Sequence, residues 1–268
     1  MSEMLAEVRH LIDAEDAVVI ATVVQSASGA GARMLIYPDG TSRGSLGGIV
    51  PDARAVEDGL AQLGRAASKT LGYESTAGEA RGGTDAEGET LVFYDVYPAP
   101  ERILIFGGVH IAVPLVELAS TLGFRTSVID ARGQFANRER FPRATDVIVS
   151  YADEFFDGRR LNQSTSVVVL THDPKLDDPA LIHALKAPAI GYIGAIGSRK
   201  THAKRVERLK DAGLTDAQIE KIHAPIGLDV GARNPEEIAL SIVSEIVAVR
   251  NGSKLATRVR SIAQVVSA

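Results

Sequence analysis

The feature that most constrains this chain is the alternation, from Arg102 onward, of short β-branched runs with helix-length segments. Arg102–Phe106, Arg125–Ile129, Asp146–Val149, Ser166–Leu170 and Ala189–Ile193 read as strands, most of them apolar on both faces. Val109–Leu122 reads as a helix with Gly123 as its C-cap, and a basic helix is expected over Ser198–Ala212. Thr215-Asp216-Ala217-Gln218 has the pattern of a capping box, and Asn234-Pro235-Glu236-Glu237 opens an amphipathic helix to about Arg250. A strand that is apolar on both faces needs a helix above and below it. Repeated strand–helix units then give a parallel sheet with right-handed crossovers. The expected class is α/β, with a Rossmann-like parallel sheet and helices on both faces. The tail after Gly252 is expected to fray or to dock on a partner subunit.

The first hundred residues read differently. A helix is expected from about Ser2 to Ala14, with Leu5, Val8 and Ile12 on one face. Ala17–Val24 is almost continuously apolar and β-branched, a buried strand. Arg33–Tyr37 and Thr41–Leu46 flank the turn signal Pro38-Asp39-Gly40 and predict a hairpin. Pro51 stands near the start of a helix reaching about Leu63. Residues 68–89 are polar and glycine-rich, and they read as a loop or mobile lid. Thr90–Tyr97 returns to strand composition. Pro98-Ala99-Pro100 is a short stiff connection, which places a smaller N-terminal α+β module at 1–97 and the Rossmann-like domain at 98–268.

Composition narrows the function classes. The 268 residues carry 29 Lys and Arg against 34 Asp and Glu, a net charge of -5. That balance lacks the basic surface used in sequence-independent nucleic-acid binding. No apolar run approaches the ~18 residues of a membrane span, and Met1-Ser2-Glu3-Met4 is acidic where a signal peptide is basic. A cytoplasmic protein without nucleic-acid or membrane partners is expected. Cys is 0, which excludes disulfides, thiolate metal ligands and any thiol nucleophile or sulfur carrier.

Ligand sites in parallel sheets gather at the carboxyl ends of the strands, and three segments there carry chemistry. Gly107-Gly108-Val109-His110-Ile111-Ala112 stands where a dinucleotide fingerprint, Gly-x-Gly-x-x-Gly/Ala, belongs. Gly107 and Ala112 match its first and third positions, and Asp130 is placed for a ribose. Val109 replaces the middle Gly. Its branched side chain is expected to obstruct a pyrophosphate, and it disfavours a positive φ if the turn requires one. A nucleotide site and a scaffold without dinucleotide both remain open. His110 reads either as a phosphate donor or proton-transfer group, or as an ordinary helix-start residue.

In Thr171-His172-Asp173-Pro174, His172 with Asp173 and Asp177 would orient a ligand or hold a cation; the alternative is a turn with a helix cap at Asp178-Pro179. Gly191–Thr201 is the most unusual stretch. Gly194 and Gly197 leave amides open, Ser198 can cap a helix, and Arg199 and Lys200 add positive charge. This suits a phosphate or other oxyanion better than it suits a solvated basic face. Asp229 and Arg233 pair with each other or face a ligand. The loops Ser26–Gly31 and Gly44–Gly48 read first as turn chemistry. Together these segments predict a ligand cleft between the N-terminal module and the carboxyl edge of the sheet.

Taken together, these stretches resemble the XdhC/CoxI family, accessory factors for molybdenum hydroxylases such as xanthine dehydrogenase and carbon monoxide dehydrogenase. The resemblance covers most of the chain and is most specific from Arg102 to Arg250. It is carried by Ile105-Phe106-Gly107 with His110 and Ala112, Val169–Asp173, Tyr192–Arg199, His223–Asp229, and Gly231-Ala232-Arg233 with Pro235–Ala239. In the first module Gly31–Leu35 and Gly44–Gly48 carry it. It implies a homodimeric factor that binds molybdenum cofactor (molybdopterin), keeps it competent and delivers it to a client molybdenum hydroxylase. The cofactor-binding residues on this reading are Gly107, Gly108, His110, Asp130, Gly194, Gly197, Ser198, Arg199 and Lys200.

The chain departs from the family pattern where Gly47-Gly48 runs into Ile49-Val50-Pro51, because the usual Cys and Glu are missing. The usual Gly-Ala-Gly-His turn is Gly107-Gly108-Val109-His110 here. The chain therefore resembles a divergent member. The competing reading is an NAD- or NADP-dependent Rossmann oxidoreductase acting on a small molecule. Asp130 supports it and Val109 opposes it, and His110 or His172 would be the catalytic proton-transfer residue. A third reading is an inert partner-binding subunit.

Overall fold

The computed structural model describes residues 3–74, 90–159 and 161–253, and the chain divides into two units between Ala99 and Pro100. In the first unit, β1 (Val18–Gln25) is central because its residues are apolar on both faces. Val19, Ala21 and Val23 face α2 (Asp52–Gly64), while Val18 and Ile20 face α1 (Glu3–Asp13). β2 (Arg33–Ile36), β3 (Ser42–Gly44), β4 (Lys69–Tyr73) and β5 (Thr90–Tyr97) complete an antiparallel sheet of order β3-β2-β1-β5-β4.

β4 corrects the expectation of a loop from residue 68. Lys69–Tyr73 is polar at its start and contains Gly72, yet it pairs with β5 in the register Thr70↔Phe93. Leu71 and Tyr73 bury themselves in the core, and the Tyr73 hydroxyl donates to Asp58 Oδ2 at 2.8 Å. Long-range pairing overrides local composition here. The remainder of the expected loop, residues 75–89, lies outside the described residues, as do residue 2 and the tail from 254.

The second unit is a six-stranded parallel sheet. Its strands are β6 (Arg102–Phe106), β7 (Arg125–Ile129), β8 (Asp146–Ile148), β9 (Thr165–Val169), β10 (Tyr192–Ala195) and β11 (Ile222–His223), in the order β11-β10-β9-β6-β7-β8. α3 (Ala112–Thr121) and α8 (Pro235–Arg250) cover one face. α4 (Ala152–Phe156), α5 (Pro174–Lys186) and α6 (Arg199–Asp211) cover the other, with the short α7 (Asp216–Ile219) beside them. The order reverses between β6 and β9, which is the switch point where ligands bind in this fold.

Three boundaries differ from expectation. α3 starts at Ala112, so Val109 and His110 lie in a turn before the helix. α5 starts at Pro174, capped by Asp173, whose side chain accepts the Lys175 N–H; Pro179 lies inside the helix rather than at its start. β10 runs beyond its expected end at Ile193 to Ala195, which puts Gly194 inside a buried strand. A Cβ at Gly194 would lie 2.5 Å from Ile226 Cδ1, so this glycine serves close packing and not an open loop.

Candidate functional site

The carboxyl ends of β6, β7, β9 and β10 lie in register. Phe106 pairs with Ile129 on one side and with Val169 on the other, and Val169 pairs with Ala195. Gly107–His110, His172 and Gly197–Lys200 therefore share one edge of the sheet. A shallow, solvent-open crevice lies at the switch point, lined among others by Gly107, Asp130, Ser150, Tyr151 and Thr171.

Two glycines shape the turn after β6. Gly107 has φ +110°, and a Cβ there would lie 2.6 Å from Thr171 Cγ2. Gly108 admits the carbonyl of Phe135, which a Cβ would meet at 2.2 Å. Val109 is not among the residues of positive φ, and its side chain packs against the apolar cluster beneath α3. The conformational objection to Val109 thus does not arise. His110 is exposed. α3 has no side-chain cap; the Ala112 N–H donates to the Val109 carbonyl at 3.0 Å and Pro114 has no N–H, so among the first-turn amides the Val113 N–H is the one left for solvent or a ligand.

Asp130 is buried and already engaged. Its Oδ2 accepts the Gly108 N–H at 3.0 Å and Arg132 Nη2 at 2.9 Å. Its Oδ1 accepts the Arg132 N–H at 3.0 Å and Nε at 2.9 Å. Burial alone would raise its pKa, but these hydrogen bonds outweigh burial and hold the carboxyl below the usual range. Asp130, expected to hold a ribose, is instead the tie between the glycine turn and the segment after β7.

The β9 and β10 ends are joined from below. His172 adopts φ +74°, a left-handed conformation uncommon for a side chain with a Cβ. Asp177 holds it there, accepting the His172 N–H at 3.1 Å and the Thr171 hydroxyl. Asp177 in turn faces Arg205 at 3.5 Å, with both side chains almost wholly buried. Arg205 Nη2 donates to the Ile196 carbonyl at 2.9 Å, while its Nε and Nη1 have no hydrogen-bond partner among the described residues. Burial pushes the Asp177 carboxyl up and the Arg205 guanidinium down, so each opposes its own charged form. Gly197 has φ +132°, and Ser198 accepts the Thr201 N–H as the cap of α6. Arg199 and Lys200 are exposed at that helix start. Among the described residues Asp229 and Arg233 form no ion pair; the Arg233 N–H donates to Glu237 Oε2 at 2.6 Å.

Sequence reasoning missed one buried polar cluster. Glu245 of α8 is 1% exposed. Its Oε2 accepts the Tyr192 hydroxyl at 2.5 Å and the Gly227 N–H at 2.9 Å, and its Oε1 lies 3.1 Å from His223 Nδ1. The three partners come from β10, β11 and the loop that follows β11. The available signal was a glutamate set within Ile242-Val243-Ser244-Glu245-Ile246-Val247, an acid in an apolar stretch. Among the described residues no group of three or more His, Asp or Glu could hold a metal ion, and no helix is long and apolar enough to cross a membrane.

The strand order and the glycine turn at the switch point define a Rossmann-type domain joined to a small antiparallel α+β unit. The profile of the XdhC Rossmann domain matches residues 103–246, and that of the XdhC and CoxI family matches residues 11–74. The chain belongs to the XdhC and CoxI family. It is 32% identical over 155 residues to a Bacillus subtilis protein described as a probable xanthine dehydrogenase subunit, covering 58% of this chain and 44% of that one. It is 28% identical over 149 residues to the molybdenum cofactor insertion chaperone PaoD of Escherichia coli, covering 56% of this chain and 40% of that one. A crystal structure from Bacillus halodurans described as a xanthine dehydrogenase superposes with a TM-score of 0.62 at 25% identity, over 95% of this chain and 68% of that one. The chain spans less than half the length of the curated relatives it matches.

Proposed function

We propose that this chain is an accessory factor that binds molybdenum cofactor and delivers it to a xanthine dehydrogenase-like or carbon monoxide dehydrogenase-like molybdenum hydroxylase. The observation that carries the reading is the switch-point crevice, which Gly107 lines at the head of the turn leading into α3, with Asp130 closed to ribose. The Val113 N–H and the positive dipole end of α3 are available to a phosphate. The terminal phosphate of the pterin is assigned to the turn at Val109–Ile111, with exposed His110 as a further donor. The name of the Escherichia coli relative supports the same cargo.

The crevice is shallow and open to solvent, unlike a pocket that buries a whole ligand. It therefore takes one end of the cofactor. The chain has no Cys, so release to a client breaks no metal–thiolate bond within this protein. The oxidoreductase reading loses its main support because Asp130 offers no acceptor to a nicotinamide dinucleotide.

Thermal unfolding in the presence of freshly released molybdenum cofactor, NADH, NADPH or CTP tests the reading. A ligand bound by the native state at a hundred times its Kd adds about 2.7 kcal/mol of stability. The pterin cofactor is expected to raise Tm and NADH to leave it unchanged. A shift with NADH and none with the cofactor would overturn the proposal.

A further inference from the structure

Asp130 ends β7 where a dinucleotide-binding domain presents an acceptor to a ribose. A carboxylate offers about four lone-pair positions, and here four donors fill them: Gly108 N–H, Arg132 N–H, and Nε and Nη2 of Arg132. The Arg132 guanidinium also lies over the Phe135 ring, 4.1 Å from its centroid. Arg140 holds the same segment independently, donating to the carbonyls of Gly108 at 2.5 Å and Phe135 at 3.1 Å. The Asp130 side chain has no exposed surface, whereas that of Arg132 is 41% exposed. Arg132, next to the lining residue Ala131 and partly exposed, thus leaves the crevice edge a guanidinium and no free carboxylate where a ribose diol, itself a pair of donors, needs acceptors. The polarity of the edge is inverted.

We propose that Arg132 is the specificity-determining residue of the crevice. It shuts Asp130 to ribose hydroxyls and selects ligands that bring an acceptor, a phosphoryl or carbonyl oxygen, to this edge. The inference rests on reading the crevice as a ligand site, but not on the identity of the cargo.

Removal of the Arg132 side chain frees one acceptor position on each Asp130 oxygen, which is what a vicinal diol requires. The Arg140 contacts remain to hold the segment. NADH titrated into the wild-type chain and into Arg132→Ala, followed by nicotinamide fluorescence, is the test. The variant is expected to bind NADH at least ~tenfold more tightly, the scale of a hydrogen bond to a charged group. Arg132→Lys keeps the cation but cannot span both oxygens, so a smaller gain is expected there, and this variant serves if Arg132→Ala fails to fold. A gain of affinity is not a product of structural damage.

Equal NADH affinity in wild type and variants, or weaker binding by both variants, would overturn the proposal. Cofactor binding by the wild type is scored separately. Selectivity without cofactor binding removes the cargo reading alone, and cofactor binding without selectivity removes the role of Arg132 alone.

Discussion

Replacement of Glu245 by alanine is expected to lower the unfolding free energy by about 3–5 kcal/mol, the loss typical when one member of a buried charged network is removed. Tyr192, His223 and the Gly227 N–H would all lose a buried acceptor at once. Glu245→Gln keeps an acceptor oxygen and is expected to lose less. The pH dependence follows from the direction of the pKa. Burial would raise it, but the bonds from His223, Tyr192 and Gly227 lower it below the ordinary glutamate value. A carboxyl with a depressed folded pKa stabilises the native state above its unfolded pKa of ~4.3, and that stability is lost as pH falls through the folded pKa. Urea unfolding at neutral pH and at successive acidic steps measures both effects. A Glu245→Ala loss below ~1 kcal/mol would show that the cluster does not hold the loop after β11.

The second large effect is expected at Asp177. Asp177→Ala leaves Arg205 buried with the Ile196 carbonyl as its hydrogen-bond partner, and it removes the acceptor that holds His172 at φ +74°. A loss of about 3–5 kcal/mol is expected. The pair itself is poorly compensated, since burial opposes both charges. Replacing both partners, Asp177→Leu with Arg205→Met, is therefore expected to recover the part of the loss that comes from the stranded Arg205 charge, while the Thr171 hydroxyl and His172 N–H still lack their acceptor. A double-mutant cycle by chemical denaturation measures the coupling. Strictly additive losses would mean that the two side chains do not act as a unit.

Much of the second unit was legible because its signals are local. The Thr215 capping box forms as expected, with Thr215 accepting the Gln218 N–H. Asn234 caps α8 with Pro235 at its first position, and Gly123 takes the positive φ that ends α3. The α5 start was left open in the sequence because two Asp-Pro pairs lie close together in the chain. Asp173-Pro174 prevails because it closely follows the β9 edge, where the Asp173 side chain can cap the Lys175 N–H. The Glu245 cluster joins residues up to 53 positions apart, so no periodicity announces it. The site was half legible. Gly107 and Asp130 sit at the switch point as their spacing suggested. Yet the engagement of Asp130 by Arg132, two residues away, is invisible to a motif that counts only the glycines and the acid.

Val109 shows the same limit. Set beside a fingerprint it is an obstruction; in the fold it is a half-buried residue packed against the apolar cluster beneath α3. On the proposal above, discrimination against a ribose belongs to Arg132 and not to Val109, through a side-chain contact that the fingerprint does not count.

The most direct measurement is transfer itself. The chain is loaded with molybdenum cofactor, freed of excess, and mixed with a cofactor-free xanthine dehydrogenase-type hydroxylase; molybdenum bound to the hydroxylase and its recovered activity are then followed over time. Both are expected to rise faster with the loaded chain than with the same amount of free cofactor. Equal rates, or cofactor that stays on the chain while the hydroxylase remains inactive, would contradict it.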